Sequence, residues 1–241
     1  MPTSTPTSTA PRRARDIARA ELTRDIVATA KQHLATDGAA ALSLRAVARD
    51  LGMASSAVYR YFPSRDALLT HLIVDAYDDL GDAVERAEAR VRRTDLIERF
   101  IAVGRAVRRW AREHPHEYAL IYGSPVPGYA APQDTIAPAT RVARVLTTIL
   151  IDAHHGGRLE DLGAPSPTVQ RDMDALRRTL QQSQQGDIPA GSLARGLSAW
   201  IAMFGYVNFE LFGHLHNVVE HHESFLDQHL RTLAETIGLT G

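Results

Sequence analysis

Apolar side chains recur at helical spacing along most of this chain. Between Arg15 and Ala35 they fall at Ile17, Leu22, Ile26, Ala30 and Leu34, close to every fourth residue. Asp37-Gly38 ends that run, with Gly suited to a left-handed cap. Ser43 is placed to cap a short helix from Leu44 to Leu51, which Gly52 terminates. A second short helix is expected over 55–61, because Phe62-Pro63-Ser64 breaks the pattern and proline disfavours helix at the residue before it. Ser64 then caps a long helix to about Arg90, with Asp66 in its first turn. Thr94-Asp95 open another to Glu113, whose apolar face is Leu96, Phe100, Val103, Val107 and Trp110. His114-Pro115 marks a new start, with Tyr118, Ile121 and Tyr122 on a short helix.

Residues 123–133 and 156–167 read as Pro/Gly loops. Helices are expected over 135–154, from Pro167 to Gln184, from Asp187-Ile188-Pro189 to about Leu215, and over 218–237, with Gly213 to Asn217 as an interruption. No pair of strands, hairpin signal or repeat period is visible. The expected fold is all-α, about ten helices. An N-terminal three-helix domain with a helix-turn-helix precedes a larger helical body. No apolar run is long enough to span a membrane, and Met1 to Ala10 lacks the pattern of a secretory signal. The expectation is a soluble, cytoplasmic protein with a short disordered lead.

Composition narrows the chemistry. The 241 residues include no Cys, which excludes disulfides, thiolate zinc sites and cysteine nucleophiles. The formal net charge of −1 argues against a uniformly basic nucleic-acid coat. The charge is unevenly placed, however. Residues 1–66 hold ten Lys or Arg against six acids, a net of +4, and residues 67–241 hold 17 against 22, a net of −5. That asymmetry suggests a small polyanion-facing module on a mildly acidic body. The expected division is a basic, disordered arm over 1–14, a small helical domain over 15–66, and a larger body over 67–241.

The segment 43–62, SLRAVARDLGMASSAVYRYF, carries the chemistry. Two short helices flank a tight turn at Gly52-Met53-Ala54, the spacing of a helix-turn-helix whose second helix enters the major groove. Leu44, Val47, Leu51, Met53 and Val58 face inward on this reading. Ser55, Ser56, Ala57, Tyr59, Arg60 and Tyr61 are what the second helix offers outward. The stretch from about Ile17 to Leu69 resembles the DNA-binding domain of TetR-family transcriptional regulators. The match is carried by Ser43-Leu44-Arg45, Val47-Ala48, Leu51-Gly52 and the run Ala57-Val58-Tyr59-Arg60-Tyr61-Phe62-Pro63-Ser64-Arg65-Asp66-Ala67-Leu68-Leu69. It departs at Ala54, where a capping Ser or Thr is common and Ser55 is the alternative cap, and at Ser56, where Gly is common.

The resemblance implies a homodimer that binds a palindromic operator in double-stranded DNA, usually as a repressor, and is released by a small-molecule effector. Carried over residue by residue, Ser43 would bond a phosphate and cap the second helix, and Arg45 would lie near the backbone or a base edge. Ser55, Ser56 and Ala57 would face the groove with Arg60 beside them. Tyr59 and Tyr61 would contact phosphates or thymine methyls, and Arg65 would hold a phosphate. Arg12, Arg13, Arg15 and Arg19 would add arm contacts or stay solvated.

For the body, the resemblance implies a ligand chamber linked to the DNA module by the helix that follows Ser64. Candidate linings are Phe100, Trp110, Tyr118, Tyr122, Met173, Trp200, Phe204 and Asn208, each of which also fits ordinary core packing. The helix near 190–215 is apolar on more than one face and so needs two partners. With the helix over 218–237 it would pair across a two-fold axis as a four-helix bundle. The Trp200 region resembles the C-terminal subtype of many actinobacterial regulators. No cofactor is expected. The histidines His214, His216, His221 and His222 leave one alternative, a metal-dependent enzyme, against a reading as a polar corner between helices.

Overall fold

The computed structural model describes residues 10–183 and 188–241, and it is all-α. Eleven α-helices lie among the described residues: α1 Ala10–Asp37, α2 Leu44–Asp50, α3 Ser55–Val58, α4 Arg65–Glu88, α5 Leu96–Glu113, α6 Pro115–Tyr122, α7 Ile136–Ala139, α8 Arg141–His155, α9 Pro167–Ser183, α10 Ala190–Leu211 and α11 His222–Ile237. The extended pairing described is a single antiparallel bridge, Leu159 to Leu239. None of the described helices is long and apolar enough to cross a membrane.

The caps act where the pattern places them. The Ala67 amide donates to the Ser64 hydroxyl at 3.0 Å, and the Glu98 amide donates to Asp95 Oδ1 at 3.2 Å, so each fills one orphan donor of a first turn. Boundaries differ where local chemistry competes. α1 begins at Ala10, so Arg13 and Arg15 stand on helix, not on a disordered arm; residues 1–9 lie outside the described part. The single helix expected over 135–154 is two, α7 and α8. Between them the Thr140 hydroxyl donates to the Ala137 carbonyl at 3.0 Å, in competition with the backbone ladder. α10 stops at Leu211 and α11 starts only at His222, because Gly213 (φ 82°) and Asn217 (φ 60°) are both left-handed. The Gln184–Asp187 part of the expected boundaries lies outside the described residues.

The chain divides into two compact units. The first joins the chain up to Ala76 with His116–Thr135; the second joins Tyr77–Pro115 with the chain from Ile136 onward. In the first, Ile26, Ala30 and Leu34 of α1, Leu44, Val47 and Ala48 of α2, Val58 of α3 and Leu68, Leu69 and Leu72 of α4 are all buried. These are the i, i+3, i+4 positions that the pattern marks. α6 and the Pro/Gly loop after it also belong here, and the Tyr129 and Thr70 hydroxyls meet at 2.9 Å.

The second unit is built on α5, which packs against α8, α10 and α11. Its interior holds arginines as well as carbon. Arg99 is 1% exposed; it donates to Glu88 at 2.6 Å, to Asp152 at 2.7 Å and to the Arg93 carbonyl at 3.1 Å. Arg105 forms a two-pronged pair with Asp227, both bonds 2.7 Å, and Arg108 forms one with Glu210, both 2.6 Å. Arg141 gathers Asp78, Asp82 and Glu85 from one face of α4. The forked guanidinium suits such pairing. Its hydrogen bonds hold the Asp82 and Asp227 carboxyls below the ordinary carboxylate range.

Candidate nucleic-acid interface

The turn between α2 and α3 is closed by backbone bonds. The Gly52 amide donates to Arg49 at 3.0 Å and the Met53 amide to Ala48 at 2.8 Å. That return needs a left-handed residue, and Gly52 has φ 66°, a conformation that costs a residue with a Cβ about 1–2 kcal/mol. Leu51 and Met53, expected inside, are only half-buried. Ala54, with extended backbone, is the N-cap of α3 and makes no side-chain bond; Ser55 is the first helical residue and not the cap. After Val58 the chain tightens. Arg60 donates to Ala57 at 3.2 Å and Tyr61 to Val58 at 2.9 Å, so the second helix continues to Tyr61 as three-residue turns.

One face of this segment is closed and the other open. Val58 is fully buried and Phe62 nearly so. Ser56, Tyr59 and Arg60 are exposed; Ser55, Ala57 and Tyr61 are half-buried. Tyr59 is 42% exposed, presenting an aromatic edge and a hydroxyl together. The Arg19 guanidinium of α1 sits 5.0 Å from the centre of the Tyr61 ring, a cation–π contact that orients the ring. Arg45 is exposed on α2. Ser43 is the backbone N-cap of α2, accepting from Val47 at 3.0 Å, but its hydroxyl makes no capping bond. His33 of α1 bonds Asp50 of α2 at 2.6 Å, and that bond holds the Asp50 carboxyl below its ordinary range.

Arg65 is engaged with backbone carbonyls. Its guanidinium donates to the carbonyls of Leu42 at 3.1 Å, Ala39 at 2.9 Å and Ala40 at 3.1 Å. It thereby ties the start of α4 to the loop that leads into α2. Sequence reasoning missed this because the partners are backbone groups more than twenty residues away.

The eight candidate pocket residues are drawn from both units. Tyr118 and Tyr122 meet as tilted rings 5.1 Å apart and belong to the first unit, whereas the other six belong to the second. Phe100, Trp110, Met173 and Phe204 are buried, and Trp200 lies half-buried against Phe204 at 5.4 Å. Burial alone raises the Tyr118 hydroxyl well above its ordinary range. The Tyr118 hydroxyl, the Trp110 indole nitrogen and Asn208 Oδ1 are buried with no hydrogen-bond partner.

The histidines take up separate contacts. The His214 ring lies tilted against Phe209 at 5.1 Å, and His222 faces the Tyr206 hydroxyl at 3.3 Å. No group of three or more metal-ligating side chains is found among the described residues.

Comparison with known proteins agrees with this arrangement. Residues 26–72 match the model for bacterial regulatory proteins of the tetR family. Residues 100–233 match the tetracyclin repressor-like C-terminal domain. The chain is 42% identical over 201 residues to the HTH-type transcriptional regulator Mb1846 of Mycobacterium bovis, covering 81% of this chain and 83% of that protein. The regulator Rv1816 of Mycobacterium tuberculosis matches to the same extent. Among solved structures, SCO4313 superposes with a TM-score of 0.69 at 32% identity, over 96% of this chain and all of the other. A bacterial regulatory protein in the tetR family from Rhodococcus RHA1 shares the fold at 14% identity, with a TM-score of 0.59 over 90% of this chain and 97% of that one. The chain belongs to the TetR family of DNA-binding transcriptional regulators.

Proposed function

We propose that the protein is a cytoplasmic, homodimeric repressor that binds a palindromic operator and releases it when a small-molecule effector binds the body. The observation that carries the DNA-reading part is the contrast across residues 55–61. Val58 is sealed in the core, while Ser56, Tyr59 and Arg60 face solvent. A short helix held rigidly by its inner face and polar on its outer face is what the major groove admits. In this reading Ser43, Arg45 and Tyr61 contact the backbone, with Ser55, Ser56, Ala57, Tyr59 and Arg60 at base edges. Arg65 positions α2 through the loop before it.

The dimer reading is supported by a row of side chains four residues apart on α10. Leu197, Ile201 and Phe209 are exposed, Ile201 by 57% and Phe209 by 55%, and Phe212 and Phe225 are exposed as well. Gly205 completes the row with nothing near it. Large apolar groups clustered at the surface signal an interface, and an isologous contact places the same row on both subunits. Effector response is supported by the match of residues 100–233 to the tetracyclin repressor-like C-terminal domain.

The test is selection of bound DNA from a random pool. The expected result is an inverted repeat with half-site centres about 34–36 Å apart or somewhat more. Recovery of no common sequence, or of a single unrepeated site, would overturn the operator reading.

A further inference from the structure

The second unit contains an apolar cavity of about 210 Å³ between α8, α9 and α10. Its walls include Ala143, Leu146 and Leu150 of α8, Leu176 of α9, and Leu193 and Trp200 of α10, with Leu197 of the exposed α10 row at its edge. We propose that this cavity is a binding site for a small, uncharged, apolar molecule of one or two rings, and that such molecules are the effector class. The second half of the statement rests on the effector reading above.

Size is the first argument. The pocket opens to solvent beside Leu197, which is 37% exposed, so a ligand can enter without a large opening motion. An engineered apolar cavity of about 150 Å³ stays dry and takes up benzene. A volume of 210 Å³ therefore suits benzene through naphthalene, on the order of 6–10 heavy atoms. The second argument is how the space is kept open. Ala143 and Gly196 are small where a larger residue would close it. A Cβ on Gly196 would come within 2.6 Å of Leu150 Cδ1, so α10 already lies against α8 there and the opening lies beside that contact.

Chemistry is the third argument. None of the lining residues is charged. The Thr147 hydroxyl on the wall is already committed, donating to the Ala143 carbonyl of its own helix at 2.7 Å. A charged ligand would lose its water with nothing to replace it. An apolar ring exchanges water for carbon wherever it meets the walls. Trp200 supplies a flat aromatic wall for that ring. Of the eight pocket residues named from sequence, Trp200 is the one on this wall. The signal for the rest was spread over residues that read as ordinary helix packing.

The experiment is calorimetric titration of the full-length protein with toluene, naphthalene and benzoate, alongside an operator gel shift with and without each probe. The expected result is binding of toluene and naphthalene with a Kd of about 0.1 mM and at least tenfold weaker binding of benzoate. Ala143→Phe fills the cavity and should lose the neutral probes. Leu176→Ala enlarges it and should shift preference toward naphthalene, which covers the case in which Ala143→Phe does not fold. No uptake of either neutral probe, or equal uptake of benzoate, would overturn the site. Tight uptake that leaves operator binding unchanged would overturn the effector role and keep the site.

Discussion

The two units handle charge in opposite ways. In the first, the exposed cations Arg45 and Arg60 point to solvent from α2 and the end of the second helix, while the interior is aliphatic. In the second, arginines turn inward onto carboxylates: Arg99 onto Glu88 and Asp152, Arg105 onto Asp227, Arg108 onto Glu210. There it is the apolar residues Ile201, Phe209, Phe212 and Phe225 that stay outside. A surface of unneutralised cations is made for a polyanion, whose released counterions drive binding. A surface of large carbon groups is made for a like surface. The difference explains how a chain of net charge −1 reads DNA: the body uses its positive charge internally.

The sharpest way to break this comparison is at Arg99. Arg99→Met should lower stability by about 3–5 kcal/mol, because Glu88 would lose its bond to Arg99 and Asp152 would keep only the exposed Arg93. Urea denaturation followed by circular dichroism checks this. A loss below 1 kcal/mol would mean that the inward pairing is incidental. Next comes the outer carbon row. The double change Ile201→Asp and Phe209→Asp should give a monomer by light scattering, with unchanged helix content. A persistent dimer would move the interface elsewhere.

The third prediction concerns the exception, an arginine in the first unit that turns inward. Arg65→Met removes three bonds to the carbonyls of Ala39, Ala40 and Leu42. At about 1–2 kcal/mol, discounted for partial exposure, it should lower the melting temperature. It should also leave the salt slope of DNA binding the same. A slope flatter by about one counterion would show that Arg65 also holds a phosphate.

The smallest effect is in acid. The folded-state values of Asp82 and Asp227 are depressed by Arg141 and Arg105. Their contribution is therefore present above the unfolded carboxylate value of about 3.9 and lost as pH falls through the folded values. Asp227→Asn should flatten the acid fall in melting temperature; an identical profile would remove that pair from the account.

How much of this was legible depends on sequence distance. The helices of both units, the turn at Gly52 and the caps Ser64 and Asp95 follow from neighbours within four residues. So does the exposure of Ser56, Tyr59 and Arg60 on the second helix, whereas Ser55, Ala57 and Tyr61 of the expected outward set are half-buried. What was hidden is paired across long separations. Nothing near Arg99 announces Asp152, and nothing near Arg105 announces Asp227. α6 reads as part of the body because it follows α5 directly, yet it packs with the first unit. The cavity was hidden for the same reason, since Ala143, Leu176 and Trp200 come from three helices whose apolar faces look alike in sequence. Where the local reading failed, as at α7, α8 and the start of α11, a single hydroxyl or a left-handed residue had decided the boundary.

The central claim is that the exposed face of residues 55–61 reads DNA. A gel shift of Tyr59→Ala on the selected operator at moderate salt, with light scattering on the same sample, tests it directly. The account predicts a loss of about 2–4 kcal/mol over two half-sites, at least a thirtyfold weaker complex, from a protein that is still a folded dimer. Unchanged affinity from that dimer would contradict it.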